Sequence, residues 1–172
     1  MPLRRDSIQA ELMQGRTFSS RREEVLLALL RTGAIARRLP ARVVELRGLS
    51  LAQYNVLRIL RNAGDEGLPT LAIRERMIEE AAGITRLIDK LEAAGLVRRD
   101  RSSDDRRRVV CRITNEGLST IKQLDDSIIR ACEAALEMLD DADMDDLTRL
   151  LELIRKRGEK KGEGGEEQLR VG

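Results

Sequence analysis

Histidine and tryptophan are absent from this 172-residue chain, and Phe18 and Tyr54 are its only aromatic residues. Without imidazole, the commonest general base and the commonest zinc ligand are both missing. Without aromatic bulk, a core has to be built from Leu, Ile, Val and Ala, which suits helices packed along aliphatic stripes. Long hydrophobic runs are missing too. The longest, Val25 to Leu30, is far too short to cross a bilayer, so no membrane partner is expected. Cysteine is scarce: Cys111 and Cys132 lie far apart and form no Cys-x-x-Cys pair. With no secretory leader they read as reduced thiols in a cytoplasmic protein. Net charge is nearly absent as well, at +2 from 32 basic and 30 acidic residues. A polyanionic partner would therefore have to be met by a local patch.

What the chain does have is helical periodicity, over a length that suits one domain with an extension. Residues 1–20 carry no sustained period and are expected to form a flexible arm. Val25, Leu29, Thr32, Ala36, Leu39, Val43 and Leu46 then alternate steps of four and three, one face of a long helix. Pro40 removes a backbone donor inside it, so a kink or break is expected near Arg37. Ser50 is a good N-cap for a second helix over Leu51–Ala63, stopped by Gly64. Pro69 fits the first position of a third helix reaching about Met77. A fourth runs from Ala81 to Ala94, with Gly95 as its cap. Two strands follow, Leu96–Arg101 and Arg108–Thr114, joined by the turn residues "SSDD". In the second strand Val109, Cys111 and Ile113 alternate with Val110, Arg112 and Thr114. A fifth helix starts at Thr114 with the stripe Ile121, Leu124, Ile128, Ala131, Ala135 and Met138. A sixth carries Met144, Leu147, Leu151 and Ile154. Residues 158–172 lack an apolar period and are expected to be a disordered tail.

The chemistry concentrates between residues 81 and 114. On a wheel of about 100° per residue, Ile84, Leu87, Ile88 and Leu91 gather on one side of the fourth helix. Ala82, Thr85, Arg86 and Asp89 gather on the other, with Lys90 at its flank. A slim basic helix of this kind can enter a DNA major groove, where arginine bonds guanine edges. From Val97 to Arg112 there are seven arginines and three aspartates, a local excess of +4. The planar guanidinium suits a narrow minor groove, and phosphate neutralisation adds affinity without sequence choice. Alone, the helix could be an ordinary solvated surface helix, and the hairpin a defended sheet edge. Together they have the layout of a winged helix-turn-helix.

The motifs "LSLAQYNVLRIL", "ITRLIDKLEAAGLVRR", "DRR" and "ITNEG" occur in one order over roughly residues 25–157. In this the chain resembles the MarR (multiple antibiotic resistance regulator) family. The resemblance implies a mainly α fold with a small β-hairpin wing, a winged helix-turn-helix flanked by N- and C-terminal dimerisation helices. It implies a homodimeric regulator, expected to be a repressor, on a palindromic double-stranded DNA operator. Residues 81–94 become the recognition helix and residues 96–114 the wing. Asp105 and Arg107 occupy the family's Asp-x-Arg positions, the acid steadying the loop and the arginine reaching the minor groove beside Arg106 and Arg108. Two features depart from the pattern: Pro40, and a long acidic link, "MIEEAAG", before the recognition helix.

Within residues 21–157, about 50–115 are expected to bind DNA, and 21–47 and 116–157 to dimerise. Val25, Leu29, Ile128, Ala135, Leu147, Leu151 and Ile154 carry apolar stripes that a small winged helix has no means of covering alone. A two-fold dimer would set its recognition helices about 34–36 Å apart; an intramolecular bundle is the alternative. The resemblance also implies a small apolar or phenolic effector between the dimer helices and the reading head. The two cysteines read as structural thiols rather than a redox switch. Asp141, Asp143, Asp145 and Glu152 mimic a calcium loop, but Asp146 stands where glycine is required, and the acids suit a helix N-terminus. "GEGG" lacks the strand and helix of a phosphate loop. No enzyme, metal or cofactor is expected. The competing reading is a winged-helix module that binds an acidic protein.

Overall fold

The computed structural model describes residues 7–12, 18–79, 83–101 and 109–162. The fold is mainly helical with one two-stranded antiparallel sheet, as the sequence implies. Two compact units are distinguished, residues 1–135 and 136–172.

Within the expected flexible arm lies a short helix, α1 (Ser7–Glu11). Ile8 is buried there and Glu11 pairs with Arg31 at 3.6 Å, contacts that no local period announces. The first long stripe is two helices rather than one: α2 (Arg21–Ala36) and α3 (Arg38–Glu45), parted at Arg37. The break falls where Pro40 requires it. Proline has no N–H for the carbonyl four residues back, Ala36, and its ring crowds that same carbonyl.

Helix α4 (Leu51–Ala63) is the spine of the core. Its start is a reciprocal capping box: the Gln53 N–H donates to Ser50 Oγ at 3.2 Å, and the Ser50 N–H to Gln53 Oε1 at 2.9 Å. Tyr54, Asn55, Val56, Leu57, Ile59 and Leu60 are all buried along it. A single 3-10 turn, Gly64–Glu66, leads to α5 (Thr70–Glu75). Pro69 stands one residue before α5 rather than inside it, and α5 stops two residues short of Met77. Helix α6 (Ile84–Ala93) is shorter than its periodicity suggests, and residues 80–82 lie outside those described. Its end is a Schellman motif. With Gly95 at φ +72°, the Leu96 N–H reaches the Leu91 carbonyl and the Gly95 N–H the Glu92 carbonyl, both at 2.9 Å.

That reversal launches strand β1 (Val97–Arg101), which pairs with β2 (Val109–Ile113) from Val97↔Ile113 to Arg101↔Val109. Leu68 and Cys111 exchange two further backbone bonds, at 3.0 and 2.8 Å, fastening the turn before α5 to the sheet edge. The expected alternation along β2 fails at one end. Val110 is buried with Cys111, while Val109 is exposed at the outer end of the ladder, opposite Arg101.

Thr114 joins the sheet to helix α7 (Asn115–Ala135). Its hydroxyl donates to the Gly95 carbonyl at 2.7 Å and accepts the Gly117 N–H at 3.1 Å. Ile121, Leu124 and Ala131 are buried along α7, and Arg61 Nη1 donates to both carboxylate oxygens of Asp125 at 2.9 and 3.0 Å. Met138, expected to extend this stripe, lies beyond the helix and is exposed. Gly117 sits where the helix meets the backbone: a Cβ there would lie 2.3 Å from the Leu96 carbonyl oxygen and 2.7 Å from Ile113 Cγ1. Gly117→Ala is therefore expected to cost about 1–3 kcal/mol by forced displacement. A denaturant midpoint equal to that of the wild type would refute the close contact.

The second unit contains α8 (Asp141–Gly162). Asp140 Oδ1 accepts the Asp143 N–H at 2.8 Å, so this acid caps the helix. The helix continues past Gly158 into the expected tail. Adding residues to an established helix costs little, and Glu and Lys are good helix formers.

Candidate nucleic-acid interface

Helix α6 buries one side and offers the other. Ile84, Ile88 and Leu91 are buried and Leu87 is half-buried, whereas Thr85, Arg86, Asp89 and Lys90 are exposed. Ala82 lies outside the described residues, as do Asp105, Arg106, Arg107 and Arg108.

Exposure does not make every charge available. Arg99 of β1 donates through Nη2 to Asp89 Oδ1 at 2.6 Å and through Nη1 to Glu92 Oε2, and its backbone N–H meets Glu92 Oε1 at 3.1 Å. Asp89 thus faces outward as expected, but it anchors a strut from sheet to helix that holds α6 against β1. Arg98 and Arg112 stand directly opposite in the ladder, a like-charge pair that would repel. Asp100 Oδ2 relieves it by accepting from Arg98 at 2.7 Å and Arg112 at 3.0 Å, and Arg112 Nε also reaches the Asp65 carbonyl at 2.6 Å. Three of the seven arginines that suggested a basic hairpin therefore serve the sheet itself. The sequence carried no signal for this, because the partners are set by strand register.

The free cations are elsewhere. Among the described residues, the side chains of Arg86 and Lys90 on α6, and of Arg74 and Arg76 at the end of α5, have no ionic or hydrogen-bonding partner. Uncompensated cations beside a slim helix edge are what a polyanion recruits, since each neutralised phosphate releases counterions. Thr85 and Arg86 add hydrogen-bonding capacity toward base edges.

A cavity of about 540 Å³ lies among α2, α3, α4, α7 and residues 78–79. Leu30, Ile78 and Ile128 contribute apolar wall, and Arg37 and Glu79, both lining residues, form an ion pair. Asn55 lines it at 5% exposure. Its Nδ2 donates to Met77 Sδ at 3.6 Å, which orients the amide because a thioether accepts only, and Oδ1 has no partner among the described residues. Burial raises the pKa of the neighbouring Tyr54 phenol, which stays protonated. The two cysteines differ. Cys111 is buried, and burial pushes its thiol up, away from the reactive thiolate; Cys132 is exposed and lines the cavity.

The paired helices α5 and α6, the hairpin behind them and the uncompensated cation edge define a winged helix-turn-helix protein. The model of the MarR family matches residues 49–109. A MarR transcription factor from Planctomyces limnophilus is 37% identical and superposes with a TM-score of 0.60, over 80% of this chain and 99% of that one. The chain belongs to the MarR family of transcriptional regulators. The HTH-type transcriptional repressor YetL of Bacillus subtilis (strain 168) is 29% identical over 105 residues, 61% of this chain and 63% of YetL, so less than two thirds of that relative is spanned. CouR from Rhodococcus jostii RHA1, solved bound to p-coumaroyl-CoA, shares the fold at a TM-score of 0.67 and 23% identity, over 80% of this chain and 95% of CouR.

Proposed function

We propose that this protein is a homodimeric repressor that binds a palindromic double-stranded operator and leaves it when a small apolar or phenolic effector is bound. The uncompensated edge of α6, Thr85, Arg86 and Lys90, carries the reading. It enters the major groove, with Ala82 at its N-terminal end and Asp89 holding it to the sheet. Asp105, Arg106, Arg107 and Arg108 form the wing contact: Asp105 steadies the loop and Arg107 enters the minor groove. Residues 50–115 read DNA, and residues 21–47 and 116–157 dimerise.

Support for the dimer comes from apolar side chains uncovered in a single chain. Val25, Leu147 and Ile154 are exposed, and Leu29, Ile128, Ala135 and Leu151 only half-buried. Covering each Leu or Ile fully is worth about 1.5–3 kcal/mol. The cavity beside the link into α6 supports the effector, as does the ligand in CouR.

The test is a gel shift and footprint on the DNA flanking the protein's own gene. The expected result is protection of two half-sites about one helical turn apart, with affinity falling steeply with salt. Arg107→Ala should weaken that complex and leave the melting curve unchanged. Unaltered affinity at moderate salt would remove the wing from the interface, and no shift of any flanking duplex at low salt would refute the function.

A further inference from the structure

Helix α6 carries an acid in the middle of its outward side. On the wheel Asp89 falls between Thr85 and Arg86, with Lys90 next to them. A DNA duplex carries one negative charge per roughly 1.7 Å of its axis, so a bare carboxylate among those phosphates is repelled. Arg86 and Lys90 bring two positive charges to this side, and an uncompensated Asp89 would cancel one of them.

The guanidinium of Arg99 offsets that charge from the sheet side. Its Nη2 donates to Asp89 Oδ1 at 2.6 Å and its Nη1 to Glu92 Oε2. The Arg99 side chain is 24% exposed and that of Asp89 55%, so the cation lies behind the carboxylate with both terminal nitrogens engaged. The Asp89 arm of this strut is open to water and adds little stability. The buried Leu91, Val97 and Cys111 seat α6 and the sheet on the core independently of it. Glu92 also keeps a second tie, from Oε1 to the Arg99 backbone N–H at 3.1 Å. Removing the guanidinium therefore frees Asp89 while Glu92 stays at the sheet.

We propose that Arg99 is a positioning residue for DNA binding that does not touch DNA: it screens Asp89 from the operator phosphates and keeps the outward side of α6 cationic. This rests on the reading of α6 given above and adds a residue that acts through another. Losing the guanidinium removes no contact with the duplex. It uncovers a repulsive charge, twice in a symmetric complex.

The test is a double-mutant cycle on the footprinted operator, using the full chain. Arg99→Gln should weaken binding about tenfold or more at roughly 50 mM salt, and the deficit should shrink toward roughly 200 mM as the repulsion is screened. Asp89→Asn in that background should recover most of the loss, a gain at least about threefold larger than the same change produces in the wild type. Arg99→Lys, which keeps the charge without the planar fork, should retain most of the affinity. Full affinity in Arg99→Gln would overturn the proposal. So would a double variant as weak as Arg99→Gln, because the guanidinium would then meet DNA or shape the fold itself. If Arg99→Gln has no cooperative melting curve, Arg99→Lys decides: a loss of about tenfold in the folded lysine variant would overturn screening by charge. A wild type that shifts no flanking duplex would instead refute the DNA-binding function, and the proposal with it.

Discussion

Arg86→Ala is expected to weaken operator binding by about 1–3 kcal/mol per half-site, the worth of a guanidinium paired with a guanine edge. A symmetric complex contains the contact twice, so the measured loss should fall between roughly 30-fold and 3 × 10⁴-fold. The fold should not change. Arg86 is exposed, has no partner among the described residues, and stands opposite the buried Ile84, Ile88 and Leu91. Competition binding against an unrelated duplex separates base from phosphate. A base contact loses specific affinity while non-specific affinity drops far less; a phosphate contact lowers both alike and reduces the salt slope by about one. Undiminished affinity on the operator would mean that another side of α6 meets DNA, and the proposed interface would fail.

Ile88→Ala tests the other side of the same helix. Ile88 is fully buried in the core cluster with Leu57, Leu60, Ile73 and Leu91. Removing three carbons there should cost about 2–5 kcal/mol, transfer energy plus the cavity left behind. Against a typical stability of about 5–15 kcal/mol that is a large share. Denaturant unfolding should show a lower midpoint at unchanged slope, and DNA binding should fall because α6 loses its seat. A midpoint within error of the wild type would mean that α6 does not rest on this core. Arg86→Ala should lose binding with stability intact, whereas Ile88→Ala should lose stability first.

The contrast between these residues marks how far the sequence could be read. The inward and outward sides of α6 were legible because a helix repeats every 3.6 residues, so spacing alone fixes which side chains share a face. The boundaries of α4 were legible because Ser50 and Gly64 act on the backbone within one turn. Residue types misled where several environments suit them. Arg99 looked like one cation in a basic hairpin, and in the fold it is the strut to Asp89 and Glu92. Val109 and Val110 read as one outward and one inward residue in the opposite order from that found, because burial at a strand end depends on what the neighbouring elements cover. The extension of α8 beyond Gly158 was missed because an apolar period marks packing, while a polar helix can continue from one already formed.

The sequence by itself determined the local matters: which segments coil, where caps and proline stop them, and the apolar and basic sides of α6. These follow from interactions among residues a few positions apart. Only the tertiary structure decided which cations are free and which are spent. It also set Arg37 beside Glu79 at the rim of a cavity and joined Leu68 to Cys111 at the sheet edge. Composition counts charges, but their availability depends on the distance to opposite charges, and the chain's path through space sets that distance.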